Sequence, residues 1–450
     1  MPSYLGLNLV LAVVVPFAAA LVLVFLIHPS RITTVVGRLN CSDRLFWILF
    51  GAGIVLSAAL FTFVRFNLPL SRLTDYYFLR AENIAARGVF GYGDTPIAFA
   101  APGYSFLLVP AALLMGDTEW VFCLTNILLF ASCTLLIRRL LLRTGVPRGT
   151  ANLIALLALL YPNRWLAAWS QLSDIPYSFV FGLAFACALM VFSSAHQQRF
   201  SFTMGLLAGA SALIRSGGLL LSLPLLGGIA LTKHSVRDRI RWLGVAIAGM
   251  AIVLAPWIVR NYLLLGKIVP VSTNAGFNLL IGNNPTGDVF WNKYAEHLLA
   301  REGDKSWSET RKDSFYTAHA LEYIQQHPGP VIVAAVKKVL RAFASDTFTM
   351  TLGAYETNLH ELPPIVWNIV YPLNNLIYFT LLLFTLIAVV RQWRLIQPAG
   401  WMYAGIWICV CLLIGMMFGM TRFKEPLNVV NLLILGYCVS RQHMSQGKHT

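Results

Sequence analysis

The sequence predicts an all-α polytopic membrane protein with about eleven transmembrane helices and further helices lying at the outer membrane surface. Three observations predict it. Of 450 residues, 57% are hydrophobic and only 12% charged, against roughly 25% charged in a soluble domain. The apolar runs are long and unbroken, which excludes the alternating pattern of a membrane barrel. Arginines and lysines also collect in alternate loops, as they do on the cytoplasmic side of a membrane.

The net charge is +15. In a soluble protein this would suggest a nucleic-acid partner. Here basic inner loops beside anionic lipid account for it, so the partner is the bilayer and not nucleic acid. Six of the seven cysteines lie inside apolar spans, Cys41 being the exception, and none has CxxC spacing. They read as small core residues. The N-terminus reads as a retained membrane helix, because its apolar core is long, it lacks a basic start and no clear cleavage site follows.

Taken in order, the spans are residues 5–27 and 46–64, joined by an inner loop with Arg31, Arg38 and Arg44. Residues 65–118 then lie outside and hold the helical stretch 74–88, a Gly/Pro-rich turn at 91–96 and an interfacial segment at 101–110. Span three, 119–137, ends in Arg138, Arg139, Arg143 and Arg148. Spans four and five, 151–169 and 177–192, meet at a tight outer turn. Spans six and seven, 202–214 and 217–231, meet at Arg215-Ser-Gly-Gly218, which reads as a broken helix facing a cavity. Span eight is 242–259. The polar stretch 260–364 carries helical periodicity over 319–344, interrupted at His327-Pro-Gly-Pro330, and its second half lies on or enters the membrane surface. Spans nine to eleven are 365–390, 401–417 and 427–439.

The polar clusters fall on the outer face: Asp75, Asp174, Arg215, Arg260 and Arg422/Lys424. On the helix after span two, Asp75, Leu79 and Glu82 stand at i, i+4 and i+7, so the two carboxylates share a face. A solvated surface helix fits that spacing as well as a carboxylate presented at the mouth of a bundle. Asp174 suits an N-cap before Ile175-Pro176. Arg215 lies within apolar sequence, where an arginine faces a cavity, finds a partner or snorkels. Arg260, Arg422 and Lys424 fit interface anchors too. The run 271–285 is rich in amides and glycines, and suits a loop around a sugar or phosphate or simply a loop. The histidines have no metal spacing, and neither a P-loop nor a Rossmann GxGxxG is present. Carboxylates with several cations on one outer face suit transfer from a phosphate-linked donor: a carboxylate takes the acceptor proton and arginines hold the departing phosphate. No internal repeat is apparent and the charges avoid the midplane, which counts against a transporter.

Four segments resemble the GT-C superfamily of integral-membrane glycosyltransferases, and most of all its bacterial protein-mannosyltransferase-like and aminoarabinose-transferase-like group. They are Asp75-Tyr-Tyr-Phe-Leu-Arg-Ala-Glu-Asn-Ile84 with Gly88 and Ala101-Pro-Gly-Tyr104; Leu160-Tyr-Pro162 with Leu172-Ser-Asp-Ile-Pro176; Ala255-Pro-Trp-Ile-Val-Arg-Asn261 through Gly282-Asn-Asn-Pro-Thr-Gly287; and Thr421-Arg-Phe-Lys-Glu-Pro426. Two departures stand out. Asp75 is followed by Tyr76 where relatives have Asp-Glu, and Asp174 stands where they usually have Glu.

The resemblance implies an inverting membrane glycosyltransferase, multi-pass in the inner membrane, with its site facing the periplasm or exterior. The donor would be a polyprenyl-phosphate-linked sugar and the acceptor a hydroxyl of a glycolipid, polysaccharide or protein. Asp75 would be the general base, with Asp174 and Glu82 orienting the acceptor or base. Arg215, Arg260, Arg422 and Lys424 would bind the lipid phosphate, and Asn261, Asn274, Gly276, Asn283, Asn284 and Tyr104 would line the sugar pocket. The resemblance fixes no cofactor and leaves a divalent cation and metal dependence open. Residues 1–28 form a helix extra to the group, 46–260 the core, 261–364 the outer segment, 365–440 the last helices and 441–450 a cytoplasmic tail. A lipid-carrier-dependent glycan ligase or polymerase shares the outer site and differs in donor length; a lipid or polysaccharide transporter is the other alternative.

Overall fold

The computed structural model describes residues 14–26, 41–67, 76–115, 118–159, 161–169, 172–193, 195–347 and 364–446. Asp75, the expected base, lies outside the described residues, as do His360 and the start of the first expected span.

The described residues are helical nearly throughout. α1 (Val15–Leu26), α2 (Asp43–Asn67) and the short α3 (Tyr77–Arg87) come first. A two-residue antiparallel ladder follows, β1 (Gly91–Tyr92) with β2 (Thr95–Pro96), paired Gly91 to Pro96 and Tyr92 to Thr95. Next are α4 (Gly103–Met115), α5 (Thr118–Arg143), α6 (Arg148–Leu159) and α7 (Pro162–Trp169). The expected fourth span is therefore two helices. Pro162 opens the second, where its missing N–H costs nothing. α8 (Asp174–Val191), α9 (Gln197–Ile214), α10 (Gly217–Ala230) and α11 (Val236–Leu265) complete the first half.

The outer segment contributes α12 (Ala275–Gly282), α13 (Tyr294–Glu302), α14 (Glu309–Gln326) and α15 (Pro328–Ala344). The expected break at His327–Pro330 separates α14 from α15, with proline in the first turn of the latter. α16 (Pro364–Arg391), α17 (Ala399–Met416), a 3-10 turn (Thr421–Lys424) and α18 (Glu425–Gln446) end the chain.

Among the described residues, five segments are long and apolar enough to cross a membrane: 124–143, 174–191, 236–265, 365–391 and 399–416. Three shorter apolar segments, 103–114, 148–159 and 217–230, accompany them. The all-α expectation is met, while these segments alone do not amount to eleven spans.

α8 is the centre of the bundle. Its apolar window is 78% buried, against 28% for that of α11 at the periphery. A helix apolar all round belongs inside, and α8 is apolar along most of its length, with Phe181, Ala184 and Phe185 fully enclosed. It packs against α9 and α18. α9 and α11 approach closely through glycines. A Cβ on Gly205 would lie 1.9 Å from the Ala246 carbonyl, and one on Gly249 would lie 2.6 Å from that of Phe202. Small residues at such a crossing are the usual device of helix association in lipid.

Candidate active site

The site grows from two interruptions of helix. α8 begins at Asp174, which sits in the first turn with Ser173 before it at the N-cap, so Asp174 is not the cap the sequence suggested; an acid in that turn is favoured by the positive end of the helix dipole. α9 ends at Arg215, whose backbone is extended (φ −146°, ψ 126°) before α10 restarts at Gly217. Gly218 permits the sharp reversal, since a Cβ there would lie 2.8 Å from the Ala212 nitrogen. The broken helix read from Arg215-Ser-Gly-Gly218 is thus present.

These interruptions converge with the basic turn. Arg215 Nη1 donates to Asp174 Oδ1 at 2.5 Å, and Arg422 Nε donates to Oδ2 at 3.1 Å. Asp174 is 1% exposed; the side chains of Arg215 and Arg422 are 16% and 12% exposed. The guanidinium of Arg215 also lies 5.8 Å from the Tyr177 ring centre and 5.7 Å from that of Phe423. Among the described residues, two cations thus share one buried carboxylate.

The first outer loop reaches the same place. Tyr77 of α3 hydrogen-bonds Ser173, the residue before Asp174, at 3.1 Å. Gly103 lets α4 touch the end of α9, since a Cβ there would lie 2.8 Å from the Ile214 nitrogen. Glu82 is half-buried on α3, and burial raises its carboxyl above the ordinary value.

The other expected residues have different surroundings. Lys424 is fully buried behind the turn, 3.3 Å from Asp346 Oδ1, and donates to the Ser345 carbonyl at 2.7 Å. Asp346 also accepts from Tyr161, Asn163 and Asn428, while Glu425 accepts from Asn163 at 2.9 Å and faces Arg164 at 3.9 Å. Two carboxylates and two cations balance in this knot, which fastens α7, α18 and the end of α15 together. Sequence reading missed it, because Arg164, Asp346 and Glu425 come from three separate segments. The signal available was Asn163-Arg164 inside an apolar run. A cavity of about 30 Å³ adjoins this knot, lined by Tyr161, Arg164, Tyr378 and Asn428, and not by the Asp174 cluster.

Arg260 braces the first outer loop. It donates to the carbonyls of Ile97 (2.6 Å) and Phe90 (3.1 Å) and to Asn261 Oδ1 (2.9 Å), and it lies 4.6 Å from the Trp257 ring centre. Glu309 adds a second tie, accepting from the Ala98 N–H at 2.8 Å and from Thr273 at 3.1 Å. Tyr104 is fully enclosed and donates to Asn126 at 2.9 Å.

The amide-rich run mostly holds itself. Asn261 donates to the Val269 carbonyl, and Asn274 accepts from Ser272. Asn284 accepts from the Thr286 N–H and hydroxyl, and Asn283 donates to the Leu279 and Met416 carbonyls. Gly276 is needed for contact with α14, since a Cβ would lie 2.3 Å from the Asp313 carbonyl. A divalent cation at Asp174 does not fit this arrangement, because both carboxylate oxygens already face guanidinium groups.

No family model matches the sequence, and no curated protein matches it. Solved structures do match. The oligosaccharyltransferase of Archaeoglobus fulgidus in its apo form superposes with a TM-score of 0.51 at 13% identity, covering 91% of this chain and 52% of that one. The chain thus spans about half the length of that enzyme. ArnT of Cupriavidus metallidurans, in a structure bound to undecaprenyl phosphate, matches with a TM-score of 0.41 at 14% identity over 90% of this chain and 80% of that one. Both neighbours are GT-C glycosyltransferases, the superfamily that the four sequence segments resemble. The first match shows that the likeness extends to the fold.

Proposed function

We propose that the protein is a GT-C-type membrane glycosyltransferase that moves a sugar from a polyprenyl-phosphate donor to an acceptor hydroxyl on the outer side of the membrane. The observation that carries this reading is the shared carboxylate: Arg215 and Arg422 meet on Asp174, with the acid buried and the two guanidiniums nearer the surface. Two guanidinium groups side by side suit a phosphate, which arginine contacts through paired N–H groups. The archaeal oligosaccharyltransferase fold supports the class, and the neighbour bound to undecaprenyl phosphate is in keeping with such a donor.

In this reading Asp75 takes the proton of the acceptor hydroxyl as its oxygen attacks the anomeric carbon from the face opposite the phosphate. The bond from that carbon to the phosphate oxygen breaks, its electron pair goes to the phosphate, and configuration inverts. Arg215 and Arg422 stabilise the charge that develops on the leaving phosphate. Asp174 holds both arginines in place. Arg260 and Lys424, already bonded to loop carbonyls and to Asp346, serve the scaffold around this centre rather than the phosphate.

The test is transfer by the purified protein from a panel of short-chain polyprenyl-phosphate sugars, read as release of polyprenyl phosphate. Consumption of one donor by wild type and not by Asp75→Asn supports both class and base. Wild-type protein that neither consumes nor binds any of these donors overturns the reading.

A further inference from the structure

Lys338 is a fully buried lysine that makes no ion pair among the described residues. It stands on the inner face of α15, and burial lowers its ammonium to about 8. An ammonium without a carboxylate is an expensive way to fill space. What it does meet is the end of another helix: Nζ donates to the Gly415 carbonyl at 3.1 Å and lies 3.5 Å from Asn283 Oδ1. Asn283 Nδ2 in turn donates to the next carbonyl, that of Met416, at 2.7 Å. These are last-turn carbonyls of α17, which lack partners inside the helix and carry the negative end of its dipole.

Glycines on both sides make the approach possible. A Cβ on Gly282 would lie 1.9 Å from the Met417 carbonyl and 3.2 Å from Lys338 Nζ. A Cβ on Gly419 would lie 3.1 Å from the Lys338 Cα and from the Val289 carbonyl, which itself accepts the Gly419 N–H at 2.7 Å. The four residues between α17 and the basic turn, 417–420, are therefore held against the outer segment by backbone contact. Phe418 continues the connection: its ring centre lies 5.5 Å from that of Phe423, over which Arg215 sits.

We infer that Lys338 and Asn283 clamp the C-terminal end of α17 and so position the turn 421–424, with Arg422 on it, against the outer segment. Lys338 is in this sense a positioning residue. It touches none of the reacting atoms and sets where Arg422 meets Asp174. The consequence for transfer rests on the function proposed above; the clamp itself does not.

The test has two arms. In the first, hydrogen exchange is measured on the full chain in detergent for wild type, Lys338→Met and Asn283→Ala. Lys338→Met keeps volume and removes a desolvated charge, so folding is retained; Asn283→Ala removes the other half of the clamp. Exchange of amides 417–424 should rise about tenfold in both variants while α8 amides keep their rate, the mark of local loosening. Unchanged exchange across 417–424 in both variants overturns the clamp. In the second arm, Lys338→Met is combined with Arg422→Gln in the transfer assay. Loss of transfer on the wild-type background and no further loss on the Arg422→Gln background supports positioning through Arg422; additive losses overturn it. If wild type neither transfers nor binds any donor, the functional reading fails and the exchange arm still decides the clamp.

Discussion

Arg215 and Asp174 are 41 positions apart in sequence and 2.5 Å apart in space, one at the end of α9 and the other at the start of α8. Arg422, a further two hundred residues on, shares the same carboxylate. The pairing explains why an arginine persists inside an apolar stretch. It is neither a snorkelling anchor nor an isolated charge, because a buried acid stands opposite it.

Removing that acid should be costly. Asp174→Asn removes the charge that Arg215 and Arg422 share, and breaking one side of a buried ion cluster costs about 3–5 kcal/mol. Thermal unfolding in detergent should show a clear drop in midpoint, and transfer should fall with it. Asp174→Glu, the residue usual in the group the sequence resembles, should keep most of the stability.

Arg422→Gln should act on the donor. A hydrogen bond to a charged group contributes about 1.5–3 kcal/mol, so KM for a polyprenyl-phosphate sugar should rise by about 10–150-fold. Unfolding should change little, since Asp174 keeps Arg215. Steady-state kinetics over donor concentration checks this, and an unchanged KM would count against phosphate binding by Arg422.

Arg260→Ala should act differently. It frees the carbonyls of Phe90 and Ile97 from their donor, a loss of about 1–3 kcal/mol if they stay buried. Limited proteolysis should open the segment 88–101 first, and donor affinity should stay within about threefold of wild type. A fall in donor affinity matching that of Arg422→Gln would return Arg260 to the phosphate.

The knot behind the turn can be separated by a double-mutant cycle. Lys424→Met alone leaves Asp346 buried without its cation, at about 3–5 kcal/mol. Lys424→Met with Asp346→Asn removes both charges and should be the more stable protein of the two. Chemical unfolding of the single and double variants measures the coupling.

Gly205→Val tests the α9–α11 crossing. The added side chain meets the Ala246 carbonyl, and overpacking of this kind costs about 1–3 kcal/mol or more. A lower unfolding midpoint is expected, with the donor KM of the surviving folded protein unchanged.

Much of this protein is determined by sequence alone. Long apolar runs with few charges and no alternating pattern form helices in lipid, because each backbone polar group must be paired without water and only a helix pairs it within its own segment. Pro162, the Arg215-Ser-Gly-Gly218 break and the His327–Pro330 break are local chemistry, and so are the helix ends they produce. The sequence could also mark Asp174, Arg215 and Arg422 singly, as charges where charge is expensive. What it could not say is which of them meet. Arg215, Arg260, Arg422 and Lys424 look alike as outer cations. Only the packing of α8, α9 and the basic turn puts two of them on one carboxylate, while Arg260 goes to loop carbonyls and Lys424 to Asp346. Lys338 and Asn283 were equally hidden, since their partner is the end of a helix far along the chain. Helix formation is a local property, but the pairing of buried charges depends on long-range packing.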